Sequence, residues 1–148
     1  MNNKIPPPIV TLVFGLAIYF SRSIFPDLSN AIFNTLSIFL IILGPFILIS
    51  AVRSFKANQT TINPINIDKA TSLVISGTFK YSRNPMYLGM LLILLSLSFK
   101  FNLIGGIFFT MLFTMYITRF QIIPEEAVME KLFGDDFQKY KSKTRMWI

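Results

Sequence analysis

Ser76-Gly77-Thr78-Phe79-Lys80-Tyr81-Ser82-Arg83-Asn84-Pro85-Met86-Tyr87-Leu88-Gly89-Met90 carries the pattern that decides the fold. It joins a polar segment to an apolar run and holds two basic residues, three aromatics and two glycines. Pro85 suits the first turn of a helix, where its missing N–H is an orphan in any case. A polar, basic approach followed by an apolar run is how a chain enters a membrane at the headgroup edge.

Working outward, apolar runs lie on both sides of this stretch, and the composition agrees with them. The chain has 148 residues, 53% hydrophobic and 14% charged. Mean hydropathy is +0.58. A soluble domain carries about 25% charged residues, so these values predict a small, single-domain, all-α integral membrane protein. Four transmembrane helices are expected, at 9–24, 31–52, 85–100 and 103–120. Pro6-Pro7-Pro8 stiffens the approach to the first run, with the last proline suited to the first helical position. Lys4 precedes that run as in a signal peptide, but no small-residue cleavage site follows, so the run reads as a retained anchor. Gly44-Pro45 predicts a kink in the second run, and Asn34 is a candidate interhelical hydrogen-bonding residue. Lys100-Phe101-Asn102 is a tight break, and Gly105-Gly106 allows close helix approach, so runs three and four predict a helical hairpin.

Charge sets the expected orientation. The 53–84 loop carries Arg53, Lys56, Lys69, Lys80 and Arg83 against Asp68 alone. The tail, 121–148, adds Lys131, Lys139, Lys141, Lys143 and Arg145, while the opposite connections carry Arg22 and Lys100. The positive-inside tendency then puts both termini, the loop and the tail on the cytoplasmic side of the inner membrane. Net charge of +7 reports topology here, and no soluble basic face exists for nucleic acid. Leu73-Val74-Ile75 is an apolar patch inside the loop, which predicts an ordered, packed loop. In the tail, Pro124 opens a helix whose first turn holds Glu125 and Glu126. Met129, Leu132, Phe133, Phe137 and Tyr140 predict one apolar face of it, and Trp147 a headgroup anchor.

The chain has no cysteine and no histidine. That excludes a disulfide framework, a thiolate nucleophile and a Ser-His or Cys-His pair. A metal site is not expected, because only carboxylates remain as ligands. What remains near the loop and tail is an Arg, an Asn, a Tyr and two Glu, beside Phe79 and Tyr81. Such a set suits a zwitterionic or cationic ligand with an aromatic part. Taken singly, Arg83 reads as a positive-inside anchor, Tyr87 as an aromatic-belt residue and Glu125-Glu126 as first-turn acids.

Taken together, these residues resemble the isoprenylcysteine carboxyl methyltransferase and phospholipid methyltransferase family of membrane enzymes. The match runs through Leu73-Val74-x-x-Gly77-x-Phe79-x-Tyr81-x-Arg83-Asn84-Pro85-x-Tyr87-x-Gly89. It resumes at Pro124-Glu125-Glu126, Leu132-Phe133-Gly134 and Phe137-x-x-Tyr140, with Thr60-Thr61-x-x-Pro64 similar to bacterial members. The resemblance covers residues 53–148 and implies S-adenosylmethionine as cofactor, held outside any Rossmann fold. It implies cofactor-binding roles for Leu73, Val74, Phe79, Arg83, Asn84, Pro85, Tyr87, Gly89, Glu125 and Glu126, with Glu125 on the ribose or amino group. Arg119 is the basic residue that would face the acceptor, a lipophilic or small molecule reached from the lipid bilayer. Asn84 stands where many relatives have histidine, so no titrating role near neutral pH is implied there. Thr78 stands where proline is common.

Competing functions remain from the residues alone. A sterol-reductase-like enzyme using NADPH has a related C-terminal motif, but an acid tends to follow its Tyr-x-Gly unit, where Met90 stands here. A proton-coupled exporter needs an ionisable group inside its spans, and the middles of these four have none. A non-enzymatic four-span protein would need neither motif.

Overall fold

The computed structural model describes residues 5–26, 28, 30–59 and 70–148. Thr60, Thr61, Pro64, Asp68, Lys69 and Lys4 lie outside the described residues. Among the described residues the architecture is all-helical. The order is α1 (Pro7–Ser21), α2 (Ala31–Ala57), a 3-10 turn (Gly77–Lys80), α3 (Pro85–Phe101), α4 (Leu103–Ile117), a π-turn (Thr118–Ile122) and α5 (Ile123–Lys143).

Local chemistry explains each start. Helix α1 begins one residue earlier than the triple proline predicts: Pro6 is the N-cap, and Pro7, not Pro8, is the first helical residue. Asn30 caps α2 by accepting from the Phe33 N–H at 2.9 Å. Helix α2 then runs unbroken through Pro45 to residue 57, five residues into the expected loop. Asn102 ends α3 and starts α4, its Oδ1 accepting from the Gly105 N–H at 3.0 Å and its Nδ2 donating to Ser21 Oγ at 3.0 Å. This is the predicted hairpin. A Cβ on Gly106 would stand 2.5 Å from that of Ser98, so the two helices need the glycine.

Helices α2 and α3 make the most intimate crossing. Gly44 and Gly89 face each other there, and a Cβ on either would come within 2.8 Å of the other's carbonyl oxygen. Ser37 and Ser96 hydrogen-bond across the same interface at 3.1 Å, buried. Asn34 lies nearer the end of the crossing and makes the expected interhelical hydrogen bond, accepting from Lys100 Nζ of α3 at 3.3 Å in an exposed position.

Large apolar side chains point outward on α1, α2 and α4, among them Leu12, Ile32, Ile42, Phe46, Phe108 and Met115, each more than half exposed. So broad an apolar exterior is lipid-facing surface. By length and composition, α2 and the helical stretch Leu103–Lys143, which is interrupted at Gly134, are able to cross a membrane. Helices α1 and α3 are apolar but shorter, at 15 and 17 residues.

The long helical stretch itself departs from expectation. Residues 103–120 and the tail are not separate elements, because the helix continues across Pro124 by widening to a π-turn. The Ile123 N–H donates to Thr118 O, five residues back. Pro124 has no N–H to continue the α pattern, so the shifted bonding carries the helix past it. Glu125 and Glu126 therefore do not sit at a free helix N-terminus. The tail helix is also broken at Gly134 (φ +47°), so Met129, Phe133, Phe137 and Tyr140 share one cluster while Leu132 turns out to solvent.

Candidate functional site

One end of the bundle gathers the start of α1, the end of α2, the 3-10 turn, the start of α3 and the first turns of α5 around a cavity of about 380 Å³. Its position follows from the chain. Gly77 takes φ +63°, and a Cβ there would lie 2.7 Å from Ser54 Oγ, so only glycine lets the turn close on α2. The turn delivers Phe79 edge-on to Phe55, ring centroids 5.1 Å apart. Tyr140 donates to the Phe79 carbonyl at 2.6 Å and ties α5 to the same turn. Val74 is buried beside them, whereas Ile75 is exposed, so only part of the loop's apolar patch packs.

The basic-aromatic stretch and the acidic pair meet here. Tyr87 Oη donates to Glu125 Oε1 at 2.5 Å. Arg83 Nε donates to Glu126 Oε1 at 2.8 Å, with both side chains largely buried, and Lys141 Nζ lies 3.7 Å from the other Glu126 oxygen. The Arg83 guanidinium also donates to the carbonyls of Lys141 and Thr144, where α5 ends and its last carbonyls lack helical donors. The Arg83 N–H donates to Arg145 O at 3.0 Å, and Asn84 Nδ2 to Met146 O at 3.0 Å. Arg83 and Asn84 thus pin the segment after α5 to the start of α3. Trp147, partly buried, packs against the core containing Tyr87 and Leu94.

Burial pushes the Glu125 carboxyl up to about 7, partly offset by the bond from Tyr87. Its charge is therefore poised to respond to a cation. Around it the walls are mostly apolar and aromatic, with Phe79, Phe137, Met90, Met129 and Tyr140. A concave, mostly apolar cavity with a few convergent polar groups is the usual form of a small-molecule site.

Of the positions expected from sequence, Leu73, Val74, Phe79, Arg83, Asn84, Pro85, Tyr87, Glu125 and Glu126 all line the cavity. Gly89 does not. It is used at the crossing with Gly44, where backbone contact leaves no path to a ligand. Arg119 does not line it either, being exposed on the π-turn. Tyr81 is 78% exposed and takes no part. Sequence reasoning missed Pro6, Pro7 and Pro8, which form part of the wall, and Phe55, Ser72 and Met86. Proline before a helix signalled only a stiff start, with nothing to say what it faces.

The phospholipid methyltransferase family matches residues 32–136. An uncharacterized protein of Haemophilus influenzae is 38% identical over 63 residues, covering 43% of this chain and all of that protein. The protein-S-isoprenylcysteine O-methyltransferase of Schizosaccharomyces pombe is 27% identical over 116 residues, 76% of this chain. The match spans only 48% of that enzyme's length. No solved structure matches the chain.

Proposed function

From the premise that this chain belongs to the phospholipid methyltransferase family, and is a membrane methyltransferase, we propose that it uses S-adenosylmethionine to methylate a lipophilic or small acceptor at the cytoplasmic membrane face. The bond between Tyr87 and Glu125 carries this reading, because it joins the two sequence motifs inside one apolar cavity. The residues present fit the cofactor. A sulfonium and an ammonium are cations, and the buried Glu125 carboxyl gains stability as an anion beside either. Phe79, Phe137 and Tyr140 line the cavity as aromatic partners for a base, and Leu73 and Val74 add an apolar wall.

When bound, the cofactor supplies a methyl group on a positively charged sulfur. The protein's task is then alignment and exclusion of water. Glu125 offsets the positive charge. Tyr87 fixes the Glu125 side chain by holding one carboxylate oxygen. Arg83 and Glu126, joined by their ion pair, fasten the segment after α5 beside the cavity. A carboxylate or thiolate acceptor needs no strong general base, which suits a chain without histidine. Arg119, exposed at the π-turn, is placed to meet an acidic acceptor arriving from outside the cavity, not one bound within it.

The same reading makes residues 1–148 one membrane-embedded domain with four spans, both termini cytoplasmic. Supporting this, the loop 53–84 and the tail 121–148 carry ten of the fourteen basic residues in the sequence, while the opposite connections carry Arg22 and Lys100. At 1.5 Å per residue α1 and α3 reach only about 22–26 Å, so they cross a thinned or locally adapted bilayer. The test is equilibrium dialysis of the detergent-purified protein against labelled S-adenosylmethionine and against NADPH. S-adenosylmethionine is expected to bind, and Glu125→Ala or Tyr87→Ala to abolish binding while the protein still inserts. NADPH binding in its place, or full affinity in both variants, overturns the proposal.

A further inference from the structure

Gln121 is 1% exposed, on the π-turn that opens the way from α4 to α5. Its Nε2 donates at 2.8 Å to the carbonyl of Ile5, 116 positions away. Because that carbonyl can only accept, the amide orientation is fixed, and Oε1 is left as a buried acceptor with no partner among the described residues. Leaving such a group unpaired is costly, and an apolar side chain of similar size would avoid the cost. Stability alone therefore does not favour glutamine at this position. Ile5 leads directly into Pro6-Pro7-Pro8, all three of which line the cavity. Prolines 6–8 have no N–H to donate, so this wall is poor in anchors of its own. An ordinary α-turn would present a different face here, and π-turns recur where a helix serves a function.

We propose that Gln121 is a positioning residue that holds the Pro6–Pro8 wall closed against the cavity through the Ile5 carbonyl. This rests on the cavity being the cofactor site. Gln121 does not line the cavity, so it acts through the wall.

The decisive variant is Gln121→Leu. Its thermal midpoint in detergent is expected to equal or exceed that of the native protein. Hydrogen exchange at the amides of Ile9 and Val10 is expected to quicken, and S-adenosylmethionine affinity to fall about fivefold, the size of one net hydrogen bond. A lowered midpoint with unchanged affinity overturns the proposal, as does unchanged exchange. A second variant guards against misfolding. Gln121→Met keeps the side-chain length and removes the amide donor. It should fold, quicken exchange at Ile9 and Val10 and weaken binding as Gln121→Leu does. Native exchange and native affinity in Gln121→Met count against the proposal. Native protein that binds no S-adenosylmethionine removes the cofactor reading, while the exchange measurement needs no ligand and judges Gln121 separately.

Discussion

If the cavity takes a cation beside Glu125, its affinity must follow the charge of that carboxyl. Burial holds Glu125 at about 7. Between pH 6 and pH 8 its ionised share then rises about tenfold, and affinity should rise by the same factor before levelling off. Binding should also draw the proton off: near pH 7 about half a proton leaves per ligand bound, readable by calorimetry in buffers of different ionisation enthalpy. The ligand-free protein should show the opposite trend in stability. The folded carboxyl lies above its ordinary value of 4.5, so its stabilising contribution is full below that value and lost as pH rises through 7. That loss amounts to at most about 3 kcal/mol. Glu125→Gln should flatten both profiles. A native protein whose affinity for S-adenosylmethionine does not change between pH 6 and 8, or a Glu125→Gln variant that keeps the slope, would refute the reasoning.

Tyr87→Phe removes the hydroxyl that favours the charged carboxylate, so the midpoint of the affinity profile should move above 7, and a midpoint that stays put contradicts the bond's role. Arg83→Met leaves Glu126 short of its closest partner and frees the carbonyls at Lys141 and Thr144. A loss of about 3 kcal/mol is expected by denaturant titration, with earlier proteolysis after residue 143. Gly89→Ala drives a methyl to within 2.7 Å of the Gly44 carbonyl, which should lower stability by about 1–3 kcal/mol and separate α2 from α3. Scanning fluorimetry in detergent reads this directly.

The helices were legible because apolar runs and their breaks are local properties. Pro85, Asn102 and Gly105-Gly106 each name a helix end or a close approach within a few residues. The meeting of Tyr87 with Glu125 was legible only because two separated motifs matched one family together. Other features were not. The apolar runs are hydrophobic on every side, so no periodicity told which face of α3 meets α2, and Gly89 was read as ligand-facing when it belongs to the crossing. Pro124 reads as a helix start, yet a π-turn can carry a helix past a proline, and no local signal separates the two. Arg83 and Asn84 bind residues some sixty positions ahead, a pairing that spacing does not encode.

That last pairing has a consequence for how the protein is made. Residues 144–146 are clasped by the residues that open α3, so the bundle's working end stays unfinished while most of the chain has already entered the bilayer. Newly inserted chains should pass through a stage in which the helices are in place and the cavity is still loose. A fusion that tethers or tugs the backbone just beyond residue 146 would lengthen that stage without touching any cavity wall.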